Sequence, residues 1–75
     1  MTLDLNREAF SPNHNEEFVE AVREMHARNP NVSLQRCRYT LDLVLQGDFP
    51  FDGTWLSAIH AAELAVREWD AQPTS

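Results

Sequence analysis

The stretch Thr54 to Trp69, TWLSAIHAAELAVREW, constrains the fold of this chain more than any other. Trp55, Ile59, Ala62, Val66 and Trp69 recur at steps of four, three, four and three. On a 3.6-residue helix these side chains fall within about 80° of one another. Ala58 and Ala65 widen that face, while Ser57, Ala61 and Leu64 form a second, narrower one. Charge is confined mostly to the strip of Glu63, Arg67 and Asp70. A helix apolar or small over so much of its circumference needs neighbours on more than one side. The rest of the chain is therefore expected to pack around it.

Two shorter helices precede it. The first should run over 14–28. Asn13 can cap it, Glu16 stands three residues later as in a capping box, and Glu16 and Glu17 suit the positive end of the helix dipole. Phe18, Ala21, Val22 and Met25 form its apolar stripe, with Glu16, Glu17, Glu20, Arg23 and Glu24 away from it. Asn29-Pro30-Asn31 stops it. The second should run over 34–46, between a Ser33 cap and Gly47. Its competitor is a strand over 38–45, where Tyr39, Leu41, Leu43 and Leu45 alternate with other residues. TLDL at both 2–5 and 40–43 would suit a paired ribbon. The length between cap and glycine favours the helix.

The expected fold is thus all-α: one small domain of three helices, over about 14–28, 34–46 and 54–70. The α+β alternative holds if 38–45 is a strand. Residues 1–12 read as an extended arm that lays Leu3, Leu5 and Phe10 on the core of its own subunit, in preference to a neighbour's. Residues 71–75 should fray. The connection DFPFDG carries Phe49 and Phe51 around Pro50. Large aromatics in a loop either plug a bundle or present a docking surface, and the plug is the commoner outcome.

Seventy-five residues bury only about 60% of the surface an unfolded chain exposes, so stability should be thin. Cys37 is alone, which rules out an internal disulfide and fits a reducing, cytoplasmic setting. No signal-peptide pattern or membrane-length apolar run occurs. Net charge is −6, with six acids against Arg67 alone in residues 39–75.

No motif carries chemistry. His60 and Glu63 could touch one metal ion, but their order is the reverse of the Glu-x-x-His pattern of di-iron helices, and the pair occurs once. Cys37 lies on an apolar helix face with nothing to lower its pKa. Two glycines cannot build a phosphate cradle. The chain is read as a non-enzyme with no cofactor and no metal.

DNA binding has one argument in its favour. Helices 14–28 and 34–46 are joined by a short turn, and the second would present Gln35, Arg36, Arg38 and Tyr39. The acidic balance opposes it, because phosphate attraction is the main term in such affinity. The favoured function is a small acidic protein–protein interaction module that binds and modulates a partner. An adaptor or inhibitor of the kind phages and mobile elements direct at host factors is a concrete version, and an acidic mimic of nucleic acid is a sub-case. Homodimerisation is expected too. Candidate interface residues are Tyr39, Leu43, Phe49, Phe51, Ser57, Ala61 and Leu64; the runner-up is a helix-turn-helix regulator.

Overall fold

In the computed structural model, which describes residues 4–10 and 14–71, the chain forms three helices: α1 His14–Arg28, α2 Leu34–Leu45 and α3 Trp55–Ala71. The architecture is all-α, and no strand occurs among the described residues. Asn13, Leu3 with the start of the first TLDL, and the tail from Gln72 lie outside them.

Residues 38–45 are helical, which removes the α+β alternative. Both ends of α2 show why. Ser33 is extended (φ −62°, ψ 152°), and its hydroxyl accepts from the Arg36 amide at 3.1 Å. At the other end the Gly47 amide donates to the Val44 carbonyl and the Asp48 amide to that of Leu43. This is the Schellman arrangement, and it requires a left-handed residue, which Gly47 supplies at φ +97°. Burial decides the period. Tyr39 is 61% exposed while Leu41 is fully buried, whereas a strand would put both on one face.

The expected α3 face is the core face. Trp55, Ala58, Ile59 and Ala62 are fully buried, with Ala65 and Val66 almost so, and Trp69 is half-buried. The core is completed by Ala21, Val22 and Met25 from α1 and by Cys37, Leu41 and Val44 from α2. α1 and α3 begin at the same end of the molecule, where the Phe18 and Trp55 rings lie 6.4 Å apart. α2 begins beside the last turn of α3, where Arg36 meets Asp70 at 2.8 Å. The last turn of α1 is tied to α3 by Asn29, whose side-chain amide donates to both the Met25 carbonyl and Glu63.

The N-terminal segment lies against the start of α3 on its own chain. A helix leaves its first amides without intrahelical partners. Here Trp55 donates to the Arg7 carbonyl at 3.0 Å and Leu56 to the Leu5 carbonyl at 2.8 Å. The Ser57 amide donates to the Thr54 hydroxyl at 3.3 Å, so Thr54 caps the helix. Glu8 and Thr54 form an antiparallel bridge, and the Ala9 amide donates to the Gly53 carbonyl at 2.7 Å. Ala9 is fully buried and Leu5 half-buried as a result.

Glu17 fastens this arrangement, contrary to its expected place away from the stripe. It is 7% exposed. One carboxylate oxygen accepts from the Trp55 indole at 3.0 Å, and the other pairs with the Arg7 guanidinium at 2.9 Å. Its position extends Ala21 and Met25 by one helical turn, so a side chain there faces the core. Glu17→Ala should destabilise the chain by about 2–3 kcal/mol, because the indole N–H is left buried without this acceptor. Arg7→Ala should cost less, about 1 kcal/mol, since Arg7 is half-exposed. Urea titration checks both magnitudes, and amide exchange at Trp55 and Leu56 should accelerate first in either variant.

Candidate interaction surface

The seven candidate residues divide among three elements. On α2, Tyr39 is exposed and Leu43 half-buried. In the connection, Phe49 and Phe51 are half-buried and pack against the core. Phe49 lies 6.1 Å from the Trp69 ring, near edge-on, and Phe51 lies 6.0 Å from Phe10. On α3, Ala61 leans on the core while Leu64 is 51% exposed. The Ser57 hydroxyl accepts from the Asp52 amide at 3.1 Å and donates to the Thr54 carbonyl at 2.9 Å, so its polar group serves the helix cap.

Four large apolar side chains outside that set are also exposed: Phe10, Val19, Leu34 and Leu56. Val19 and Leu56 each follow a core-facing residue by about 100° on the helix, which is the signal that could have found them. Leu34 occupies the first position of α2, where the capping residue fixes it outside the bundle.

A shallow depression of about 330 Å³ runs over the outer face of α2. Phe18 of α1 lines one edge, with Gln35, Arg38, Tyr39 and Asp42 around it. These include three of the side chains that the helix-turn-helix reading puts forward. The fourth, Arg36, is held by Asp70. The depression thus offers one guanidinium, one carboxylate, an amide and two rings, a set suited to a polar peptide as much as to a base edge.

Several of the remaining chemistry-bearing groups are committed internally. Glu63 accepts from the Asn29 side-chain amide at 2.8 Å. His60, the other half of the metal candidate, is exposed. No group of three or more His, Cys, Asp or Glu that could hold a metal occurs among the described residues. A ring nitrogen of His26, Nδ1, lies 2.8 Å from the Val32 carbonyl and braces the turn between α1 and α2. Cys37 is fully buried. That burial pushes its thiol up, against smaller opposing effects of a backbone hydrogen bond and Arg36, while Glu63 pushes with it.

No family model, no curated protein and no solved structure matches this chain.

The raised thiol pKa has a definite sign. Below the ordinary thiol range both folded and unfolded chains carry a neutral Cys37, and its burial costs no ionisation. As pH rises through that range the unfolded chain ionises first, so stability falls. Thermal melts of the native chain should therefore shift downward above about pH 8.5, and Cys37→Ala should remove that part of the shift. Iodoacetamide should label Cys37 at least about tenfold faster in urea than in buffer, because the thiolate is the nucleophile.

Proposed function

We propose that this chain is a small acidic interaction module that binds another protein and modulates it, with inhibition as the concrete form. One observation carries the reading. Tyr39 and Leu64 remain 61% and 51% exposed although the core closes without them. No buried side-chain nitrogen or oxygen among the described residues lacks a partner. Large apolar groups that the fold does not need are what a partner can cover. Aromatic residues such as Tyr39 are also enriched where protein interfaces concentrate their energy.

Self-association is the second part of the proposal. It would use Leu64, with the small residue Ala61 beside it allowing another helix to approach. Covering the exposed half of Leu64 contributes about 1 kcal/mol per subunit, so the dimer is weak and concentration-dependent. Sedimentation equilibrium at high micromolar concentration should then detect a species above 8.6 kDa. Leu64→Glu should return it to that mass with its helicity intact. A wild-type chain that sediments only at 8.6 kDa removes the dimer.

Affinity capture from the source cell, with mass spectrometry, tests the partner. The wild-type chain should retain one protein in near-stoichiometric amount. Tyr39→Ala or Leu64→Glu, each still helical, should retain at least about fivefold less, the loss of a modest apolar contact. Equal retention by both variants, or no protein above the control, would sink the reading. The exposed Gln35, Arg38 and Tyr39 favour a helix-turn-helix regulator as the second reading. It requires a salt-sensitive mobility shift of DNA that Arg38→Ala abolishes.

A further inference from the structure

We propose that the outer face of α2 pairs with the same face of a second copy, the two α2 helices running antiparallel about a two-fold axis next to Tyr39. This contact goes beyond the partner-binding reading and is separate from the Leu64 contact, which lies on another helix. Gln35, Arg38, Tyr39 and Asp42 follow one another at steps of three, one and three, so they form one stripe along α2. All four are exposed, and with Phe18 they line the depression of about 330 Å³. Tyr39, 61% exposed, is the large ring of that stripe.

Two charges on the stripe are left over. Arg38 and Asp42 stand four residues apart, yet no ion pair closes between them, and neither meets another opposite charge among the described residues. An arginine ahead of its acid is the less favourable order on a helix. The Gln46 side-chain amide donates to one Asp42 oxygen at 2.8 Å and so orients the carboxylate. Solvated charges are common on a helix surface, and alone they would point to nothing. Their arrangement around Tyr39 is what selects an occupant.

Arg38 and Asp42 are separated by about 6 Å along the helix axis, with the level of Thr40 midway between them. A two-fold axis at that level runs the second helix the other way. It sets Arg38 of each copy level with Asp42 of the other, so all four left-over charges are paired. The two Tyr39 rings are then displaced by about 3 Å along the axis, as in an offset stack. A foreign helix would need an opposed pair in this same register, whereas a second copy supplies it by symmetry. Nucleic acid would meet Asp42 along with Arg38, which opposes it. The stripe itself sums to zero charge, so the chain's net −6 is not concentrated at the contact. Exposed ion pairs contribute little, so the contact forms at millimolar concentration, above the range in which the Leu64 contact is read. It covers Tyr39, and a second copy and a partner protein therefore compete for the face.

The test is a charge swap in full-length chains that all carry Leu64→Glu, so that the other contact is absent. With no further change, dilution from millimolar to micromolar concentration should move the amide NMR signals of Gln35, Arg38, Tyr39 and Asp42 together. Arg38→Glu alone and Asp42→Arg alone should each weaken association at least about tenfold, since each sets like charges opposite one another on both sides of the two-fold. Mixing the two variants, with only the Arg38→Glu chain isotope-labelled, should restore the shifts, because each then meets the charge it lacks. Asp48→Arg, exposed and off the stripe, changes net charge as Asp42→Arg does and should not restore them. The amide spectrum of each variant shows independently that it is folded. Dilution that leaves the four residues unmoved overturns the proposal, as does a mixture no tighter than its components or equal restoration by Asp48→Arg. Loss of the wild-type dimer at high micromolar concentration would remove the Leu64 contact and leave this result standing.

Discussion

The start of α3 is the place on which the rest of the structure depends. A central helix that is apolar nearly all round must begin inside the molecule, where its first amides cannot reach water. The chain meets this with its own N-terminal backbone: the Arg7 and Leu5 carbonyls take the Trp55 and Leu56 amides. Backbone acceptors alone would leave the Trp55 indole N–H buried and unanswered. Glu17 answers it, and Arg7 in turn neutralises Glu17. The segment before α1, the first turn of α1 and the first turn of α3 are thereby locked by one carboxylate. Removing a partner from such a set costs more than the pair would contribute in water, because the remaining charge keeps its burial.

Much of the architecture was legible because helix signals are local. Ser33 and Gly47 delimit α2 through bonds that span only a few residues, and Phe18, Ala21, Val22 and Met25 repeat at the helical period. What escaped the sequence was long-range. Glu17 looks like a helix-dipole acid until Trp55, 38 positions away, supplies an indole for it. Glu63 and Arg67 have the spacing of a good helical pair, yet Asn29 offers Glu63 a half-buried donor held by the end of α1. An exposed pair at that spacing contributes only tenths of a kcal/mol, so a better-placed amide readily displaces it. Of the candidate interface residues, Tyr39 and Leu64 stand out by exposure, while Ser57 is drawn into the cap. A single strand of text cannot distinguish a serine facing a partner from one bonded to its own loop.

Charge shows the same limit at larger scale. Counted along the chain, the acidic excess belongs to residues 39–75. Folding redistributes it. Asp4, Glu8 and Glu16 come from the first half, and they join Asp52 because the N-terminal segment is stitched to the start of α3. Elsewhere some arginines meet acids across elements or along them, as Arg36 does with Asp70 and Arg28 with Glu24. The start of α1 and α3 is consequently one acidic pole, although Asp42, Asp48 and Glu68 are exposed without an arginine partner elsewhere among the described residues.

That polarity and the exposed apolar side chains act at different ranges. At physiological ionic strength charges are felt over about 8 Å, far enough to orient a basic surface before contact but too weakly to hold it. Apolar groups act only on contact and do not discriminate by sign. The end where α1 and α3 begin carries both kinds of group, since Phe10 and Leu56 are exposed there together with Glu8 and Asp52. The outer face of α2 is different in kind. There Arg38 and Asp42 flank Tyr39 and Phe18 with balanced charge, which gives little steering and leaves shape to decide. Tyr39 stays 61% exposed there, so what that face offers is shape and apolar area more than field.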